Sequence, residues 1–354
     1  MDSMPELGLL VFPQRPIAEL VATARRAEEL GYSGIWVADE KFYRDPFVTL
    51  TAIGQATTRV HLGTGVTEPY ARHPALIAMA LATLEELCPG RVVVGLGAGG
   101  PGFEPMGVVR RRPARALAEA VAILRGLLAG QSVRVAGEVV SFDGPGLNFR
   151  PRPLPIYLAA RGRRVLETAG AVADGVILAP FASPEAIAYA TEVVRRGARN
   201  AGRDTPRVIA RVDVAIEDDP ASARRAARYY VALPLWVSFP DWGYAEALGI
   251  EIQAPLRDLL SRRDYRDIAT AAAMVPEAAV DHFAIAGTED EVAARLAGLL
   301  PLVDGLIAHP VAPPEGDVDA TTERIARVWQ RVIASAPPAQ SALGEPGKRS
   351  VASR

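Results

Sequence analysis

Short apolar runs alternate with amphipathic segments along most of the chain. The run Leu7–Phe12 has no polar side chain, and in Ile17–Gly31, which follows it, apolar residues recur at helical spacing. Strands that are apolar on both faces and separated by helices are typical of a parallel sheet covered by helices. The pattern predicts eight such strands, which are Leu7–Phe12, Gly34–Asp39, Val60–Val66, Arg91–Gly99, Pro155–Ala160, Gly175–Pro180, Arg207–Ile216 and Asp304–Val311.

Eight β–α units favour a closed barrel over an open, doubly wound sheet. The predicted fold class is therefore α/β, a (β/α)8 TIM barrel with insertions. The segment Phe283–Gly287 competes with Asp304–Val311 for the place of the eighth strand, so the pattern leaves two candidates for the last barrel strand.

Two segments interrupt the β–α pattern. Ser132–Phe149 alternates in the manner of a hairpin, and we expect it to lie outside the barrel. Val231–Asp281 is a second insertion, which could form a lid, a subunit contact or a peripheral pair of helices. We therefore predict one catalytic barrel domain over residues 1–336, with insertions at about 132–149 and 231–281. The polar tail 337–354 is predicted to be disordered.

Composition and charge exclude several classes of function. The formal net charge of −2 gives no general attraction to nucleic acid or to a membrane surface. The single cysteine, Cys88, excludes an internal disulfide and a cysteine metal cluster. The four histidines lack the spacing of a helical zinc site, and we predict no metal. With neither a signal segment nor an apolar run of membrane-spanning length, the chain is expected to be a soluble, cytoplasmic protein that acts on a small molecule.

Polar residues and glycines follow several of the predicted strands. Asp39 and Glu40 follow the second strand, Thr67–His73 follow the third, and a glycine-rich stretch ends the fourth. Because chemistry in barrels gathers at the carboxyl ends of the strands, we expect these segments to face one cavity. After the fifth strand, Gly162 opens a helix amid arginines, which is the pattern of an anion site.

Each of these signals also has a purely structural interpretation. The glycines could relieve crowding inside the barrel, and the arginines could form a solvated helix face. Asp39 and Glu40 could cap a helix, and His73 could be a capping or loop residue. His309, which lies within the last predicted strand, could be a core histidine whose hydrogen bonds are satisfied. The predicted shared location at one rim favours function for the set as a whole.

Three strings, in this order and spacing, are similar to those of a known family: GTGVTEPYARHP, RVVVGLGAGG and PIYLAARGRRVLETAGAVADGVIL. They resemble the bacterial luciferase-like superfamily, and within it the deazaflavin-dependent branch that includes methylenetetrahydromethanopterin reductase. The resemblance covers roughly residues 5–335. It implies a (β/α)8 barrel with coenzyme F420, a deazaflavin, at the rim, with FMN as the alternative cofactor.

The resemblance also implies which residues hold the cofactor. A non-proline cis peptide, here Gly65–Val66, would support the ring system, and the fifth-strand end would hold the phosphate. The residues carried over in this way are Asp39, Thr64, Gly65, Val66, Thr67, Gly97, Ala98, Gly99, Ala160, Arg161, Gly162 and Arg163.

This chain departs from the family pattern at its acid–base positions. Leu10 and Gly100 stand where methanopterin reductases carry carboxylates, and Glu40 stands where many deazaflavin enzymes carry histidine. Methylenetetrahydromethanopterin is therefore doubtful as the substrate. We expect hydride transfer between F420 and a C=C, C=N or C=O group, with Glu40 as the leading proton donor or acceptor. The further candidates for this proton transfer are Asp39, Glu68, Tyr70 and Glu104.

Two other functions share the same predicted fold. One is an FMN-dependent monooxygenase of the luciferase-like family, and the other is a non-catalytic flavin-binding protein, which the loss of carboxylates at Leu10 and Gly100 would suit. The family commonly forms dimers, and we expect a homodimer. Trp236 and Trp242, within the second insertion, could equally cover a substrate pocket.

Overall fold

The computed structural model describes residues 5–335, and the tail predicted to be disordered lies outside them. Eleven strands occur in this part of the chain: β1 Glu6–Val11, β2 Gly34–Val37, β3 His61–Thr64, β4 Val92–Leu96, β5 Val133–Val135, β6 Phe142–Gly144, β7 Ile156–Ala160, β8 Gly175–Leu178, β9 Arg207–Ile216, β10 Ala284–Gly287 and β11 Gly305–Val311.

Thirteen helices lie between and after these strands in residues 5–335. They are α1 Ile17–Glu29, α2 Pro46–Ala56, α3 Pro74–Leu87, α4 Pro113–Leu128, α5 Arg163–Val172, α6 Pro184–Asn200, α7 Pro220–Ser238, α8 Gly243–Glu246, α9 Ala254–Ser261, α10 Ile268–Met274, α11 Glu277–Phe283, α12 Glu289–Leu299 and α13 Val318–Ser335.

Eight of the strands close into a parallel barrel, in the order β1, β2, β3, β4, β7, β8, β9 and β11, with β11 paired to β1. The closing contact is made by β9, which pairs with β8 on one edge and with β11 on the other. The predicted (β/α)8 barrel is therefore confirmed.

Both candidates for the last strand exist, in different places. The barrel strand is β11, whereas β10 pairs only with the final residues of β9. This is possible because β9 is ten residues long. Its first part, Arg207–Ala210, pairs with β8, and its last part, Asp213–Ile216, pairs with β10.

Several helices begin at a side chain that accepts hydrogen bonds from the first free N–H groups. Asp45 accepts from the backbone N–H groups of the first turn of α2, and Ser183 caps α6 as its sequence position suggests. His73 caps α3, since its Nδ1 accepts from Ala75 N at 3.1 Å. The capping interpretation of His73 is therefore correct, and it leaves His73 a structural residue.

The two interrupting segments differ in structure. In the first, β5 and β6 pair antiparallel as a short sheet of their own. The second is helical: it begins inside α7 and continues through α8 to α11. Trp236 and Trp242 are both buried there, and Trp242 Nε1 donates to the backbone oxygen of Leu235 at 2.8 Å. Neither tryptophan is among the residues that line the two cavities at the carboxyl ends of the strands, so the covering role gains no support there.

Trp36 occupies the interior of the barrel and is surrounded by glycines. A Cβ atom added at Gly63 would lie 2.4 Å from Trp36 Cε3, and one added at Gly8 would lie 2.8 Å from its Nε1. The interpretation that glycines relieve crowding is therefore correct for Gly63. The other apolar residues of this inner cluster are Leu10, Ala38, Val93, Tyr157, Ile177, Ile209 and Ile307.

We predict that Gly63→Ala destabilises the protein by about 1–3 kcal/mol, because the new methyl group must displace a ring that is packed on several sides. Chemical denaturation would measure the loss. The matched control is Gly298→Ala in α12, where no atom lies within 4 Å of the added Cβ and alanine favours the helix. Equal stability of Gly63→Ala and the parent protein would contradict this packing account.

Candidate active site

A cavity of about 360 Å³ opens at the carboxyl ends of the barrel strands. All eight barrel strands, or the loops directly after them, contribute residues to its lining. Its floor is apolar and consists of Leu10, Trp36, Val66, Ile177 and Ile307. Another cavity, of about 180 Å³, lies at the amino ends of the strands. Since barrel enzymes carry their chemistry at the carboxyl ends, we take the first cavity as the site.

Most of the predicted cofactor residues meet at this cavity. Those that line it are Asp39, Gly65, Val66, Gly97, Ala98, Gly99, Ala160, Arg161 and Gly162. The other three lie elsewhere: Arg163 is exposed and pairs with Glu167, while Thr64 and Thr67 are buried behind the wall.

The chain after β3 passes under the cavity through a cis peptide bond between Gly65 and Val66, as the resemblance implied. A Cβ atom at Gly65 would lie 2.7 Å from Leu10 Cδ1, so a larger residue there would collide with the floor. Thr64 Oγ1 donates to the backbone oxygen of Gly95 at 2.6 Å. Thr64 thus fixes the backbone at the end of β3 rather than facing the cavity.

The wall of the cavity that follows β4 consists mostly of glycines and therefore has few side chains. A Cβ atom at Gly97 would lie 2.5 Å from Val66 Cγ2, and Gly99 has a φ of +75°, which disfavours other residues. At Gly100 an added Cβ would approach only the two carboxylate oxygens of Glu40, each at 3.6 Å. The wall is therefore shaped by backbone, which leaves room for a flat group beside Glu40.

A buried charge network holds Asp39 in place. Lys41 Nζ lies 2.9 Å from Glu68 Oε1 and 3.6 Å from Asp39 Oδ1, and Thr67 Oγ1 donates to Asp39 Oδ2 at 2.6 Å. Glu68 is fully buried and also accepts from the backbone N–H of Tyr70 at 2.6 Å. Glu68 is thus committed to the loop after β3 and does not line the cavity.

Glu40 is the carboxyl group of the cavity that the structure leaves free. Its side chain forms neither a hydrogen bond nor an ion pair with the residues of the described range 5–335. Burial raises the pKa of Glu40 to about 7, although the nearby Lys41 and Arg211 lower it and Asp39 raises it further. A carboxyl with such a pKa can hold or release a proton near neutral pH.

The remaining acid–base candidates lie away from the cavity. Glu104 is exposed in a short 3-10 turn, and the hydroxyl of Tyr70 donates to the backbone oxygen of Arg111 at 3.1 Å. Of the predicted acid–base residues, only Asp39 and Glu40 face the cavity.

The far end of the cavity is positively charged. Arg161 and Gly162 stand at the amino end of α5, which has no side-chain cap, and Arg110 donates to the backbone oxygens of Gly99 and Val237. Within residues 5–335, neither Arg110 nor Arg161 pairs with an acidic side chain. Burial lowers the pKa of both guanidinium groups. Unpaired cations at a helix amino end favour an anion such as phosphate.

Several residues of the site were missed in the sequence. Arg110 and Arg211 line the cavity, Lys41 lies 3.6 Å from the lining residue Asp39, and Asp213 accepts from Arg211 at 2.7 Å. The sequence did contain a signal for two of them. Arg211 and Asp213 are charged residues at alternate positions within the apolar run of β9. Alternation puts both on the inner face of the barrel, where a charge needs a partner.

Known proteins resemble this chain in both sequence and fold. Residues 4–301 match the sequence model of the luciferase-like monooxygenase family. The chain belongs to this family. The predicted resemblance is thereby confirmed, and the barrel of this luciferase-like protein is the fold expected for it.

Two curated relatives are named for reactions that differ. The chain is 34% identical over 313 residues to 5,10-methylenetetrahydromethanopterin reductase of Methanolobus tindarius, covering 86% of this chain and 94% of the relative. It is 35% identical over 224 residues to the F420-dependent hydroxymycolic acid dehydrogenase of Mycobacterium tuberculosis, covering 58% of this chain and 61% of the relative.

Solved structures share the barrel. The coenzyme F420 dependent tetrahydromethanopterin reductase of Methanopyrus kandleri matches with a TM-score of 0.77 at 26% identity, covering 92% of this chain and 98% of that one. An F420-dependent secondary alcohol dehydrogenase matches with a TM-score of 0.76 at 20% identity, over 93% of this chain and 99% of that one, which shows the fold alone.

Two negative findings concern the described part of this luciferase-like chain. None of its helices is both long and apolar enough to cross a membrane. Within residues 5–335, no three His, Cys, Asp or Glu side chains come together as a metal site.

Replacing Glu40 by Gln should stabilise the protein increasingly as pH rises. The folded-state pKa of Glu40, about 7, exceeds the ordinary value of 4.5, so stability is lost as pH rises through 7. The amide removes this loss, and the gain of Glu40→Gln over the parent should approach about 3 kcal/mol in the free energy of unfolding near pH 8. Urea unfolding near pH 5 and near pH 8 measures it.

The control for this experiment is Glu104→Gln, which alters an exposed carboxyl and should leave the pH dependence unchanged. A Glu40→Gln protein that is less stable than the parent near pH 8 would show that Glu40 is held ionised by partners.

Proposed function

We propose that this protein is a coenzyme F420-dependent oxidoreductase that transfers a hydride between F420 and a C=C, C=N or C=O group of a small organic substrate. The carrying observation is the shape and charge of the rim cavity. It has an apolar floor at one end and the unpaired Arg110 and Arg161 at the other. A deazaflavin with a phosphate-bearing side chain has this same division, and when bound it would supply a hydride donor or acceptor at carbon.

The residues present fit such a group. Leu10, Trp36 and Val66 offer an apolar surface for a planar ring, and the glycine wall leaves its edge accessible. The N–H groups at the start of α5 and the guanidinium of Arg161 would hold a phosphate. Asp39, fixed by Thr67 and Lys41, would face a polar edge of the ring.

Glu40 is the residue that we propose for proton transfer. It lies at the rim beside Gly100, where no side chain competes for the space. In this proposal the carboxyl of Glu40 approaches the region that a carboxylate at position 100 would otherwise occupy. The substrate is consequently proposed to differ from methylenetetrahydromethanopterin, since Leu10 and Gly100 offer no carboxyl group.

The cofactor can be tested by titrating the purified protein with F420 and with FMN while following fluorescence. We expect tight binding of F420. Removing the cation at the phosphate end with Arg161→Ala should weaken F420 binding by about 10- to 100-fold, the value of a charge-assisted hydrogen bond.

Arg163→Ala is the matched control, because Arg163 belongs to the same helix start but is exposed and pairs with Glu167. Equal losses in the two variants would place the phosphate elsewhere. Tight binding of FMN instead of F420 would favour the oxygen-dependent monooxygenase.

The role of Glu40 can be tested by steady-state kinetics with F420 and a panel of carbonyl and alcohol compounds. Glu40→Gln keeps the shape but removes the titrating group, so turnover should fall by about 100-fold or more while F420 affinity stays within a few fold. Turnover at the parent level would assign the proton to another residue. Binding of F420 without turnover on any substrate would favour a non-catalytic flavin-binding protein.

We also propose that the protein is a cytoplasmic homodimer. The support for the dimer is a set of exposed apolar side chains on the adjacent helices α2 and α3, namely Val48, Leu76 and Met79. Apolar residues exposed together on neighbouring helices are typical of a protein–protein interface.

A further inference from the structure

A second cavity, of about 520 Å³, adjoins the first. Both are bounded by the same six residues, which are Leu10, Phe12, Glu40, Pro101, Tyr230 and Leu233. If the proposed function holds and the first cavity takes the cofactor, the second is the space from which a substrate reaches it. Glu40 stands at the boundary, where proton transfer to a substrate would take place.

Aromatic side chains form much of the lining of the second cavity. They come from the end of β1, the loop after β2, helix α7, a 3-10 turn and β11, and they are Phe12, Tyr43, Tyr229, Tyr230, Tyr265 and His309. Such walls favour a flat ring through stacking and edge contacts.

Among the described residues 5–335, those that line the second cavity include no unpaired lysine or arginine. Arg15 is the single arginine in its lining, and its guanidinium is taken up by Asp319, at 2.6 and 2.9 Å, and by Thr23 at 2.7 Å. The carboxyl groups of Asp317 and Glu40, which also line this cavity, offer no positive charge in either protonation state. An anionic substrate would therefore leave its charge unpaired in this space, which is costly.

His309 gives the wall a hydrogen-bond acceptor of fixed orientation. The parallel register of β9 and β11 sets His309 directly beside Asp213, and its Nδ1 lies 2.7 Å from Asp213 Oδ1. Asp213 is fully buried, and its other oxygen accepts from Arg211 at 2.7 Å, so Asp213 is placed in this pair as the hydrogen-bond acceptor. The proton of a neutral imidazole is thereby held on Nδ1, which leaves the lone pair on Nε2.

The ring of His309 is clamped in place. Phe12 and Tyr230 pack against it, each with a ring-centroid distance of 4.8 Å. Within residues 5–335, Nε2 makes no hydrogen bond, although His309 lines the second cavity. Because the ring is held between two aromatic side chains and Nδ1 is bonded to Asp213, Nε2 is the nitrogen available to a ligand in the second cavity.

We propose that the second cavity binds an uncharged, ring-containing substrate and that His309 Nε2 accepts a hydrogen bond from a hydroxyl or N–H group on it. His309 is the specificity-determining residue of this compartment, and Asp213 is a positioning residue that acts through it. The proposal rests on the proposed function for the role of the compartment, but its test requires no bound cofactor.

The first measurement is the tautomer of His309 in the cofactor-free protein, from NMR of protein labelled with 15N and 13C at histidine. The chain has four histidines, so a His309→Gln variant assigns the signal. We expect a neutral ring with hydrogen on Nδ1 near pH 7.5, because burial lowers the pKa of His309. Hydrogen on Nε2 would overturn the proposal.

Other groups near His309 could influence this signal. On β9 these are Asp213 and Arg211, on α7 they are Tyr229 and Tyr230, and around the rest of the cavity they are Arg15, Glu40, Tyr43, Tyr265 and Asp317. The Asp213→Asn variant separates their effects on the His309 signal from the effect of the Asp213–His309 hydrogen bond. An asparagine amide can donate to Nδ1, which should move the hydrogen to Nε2. Of the other groups, the substitution alters the partner of Arg211 alone.

The second measurement is binding of three matched probes: 4-hydroxyacetophenone, acetophenone and 4-acetylbenzoate, which differ in having a donor, no donor or a negative charge. We expect the hydroxyl probe to shift the His309 signal and to bind at least about 10-fold tighter than either of the others. In His309→Gln this preference over acetophenone should fall to within about two-fold.

Several outcomes would contradict the proposal. Binding of 4-acetylbenzoate as tight as that of the hydroxyl probe would mean that the compartment accepts anions. An unchanged preference in His309→Gln would mean that another residue accepts the hydrogen bond from the hydroxyl group. Absence of binding by all three probes would mean that the second cavity does not bind ring compounds. Failure of the proposed function would appear separately, as failure of F420 to bind.

Discussion

The pairing of β9 along both of its edges is the constraint on which the site depends. It closes the barrel between β8 and β11 and leaves its last residues to hold β10. The register with β11 also places Arg211 beside Ile307 and Asp213 beside His309. A shift by one residue would turn these side chains out of the barrel, because side chains alternate between the faces of a strand. The closing hydrogen bonds and the arrangement of charge inside the barrel therefore arise from the same strand.

Charge at the rim is divided between groups that are paired and groups that are free. Lys41 forms an ion pair with Glu68 and lies near Asp39, so these residues hold the loops after β2 and β3 together. Glu40 and Arg161 sit in equally enclosed surroundings without an ion pair in the described part of the chain. Since enclosure without a partner disfavours the charged form, it raises the pKa of Glu40 and lowers that of Arg161. Unpaired groups of this kind are the ones that a ligand can use.

The two cavities at the rim differ in what they can hold. The first combines an apolar floor with unpaired arginines, and the second combines aromatic walls with an arginine that is already paired. Glu40 is the carboxyl group among the six residues that border both cavities, so a proton that it holds lies between the two spaces. This division favours an anionic cofactor in the first cavity and a neutral substrate in the second. The proposed phosphate site and the proposed substrate site then lie at opposite ends of the rim.

The barrel, seven of its eight strands and the family could be predicted from the sequence, because apolar runs and glycine-rich strand ends are local patterns. For the eighth strand the sequence left two candidates. The sequence also placed Glu40 and Arg161 at the rim, since residues that follow parallel strands share one end of a barrel. The Gly65–Val66 bond was implied by the family resemblance instead. Which of these residues are free depends on contacts between distant parts of the chain. Glu68 and Arg163 carry the same charges as Glu40 and Arg161, yet they are taken up by Lys41 and by Glu167. The Asp213–His309 pair likewise depends on strand register, because the two residues are far apart in the chain and β10 comes between them.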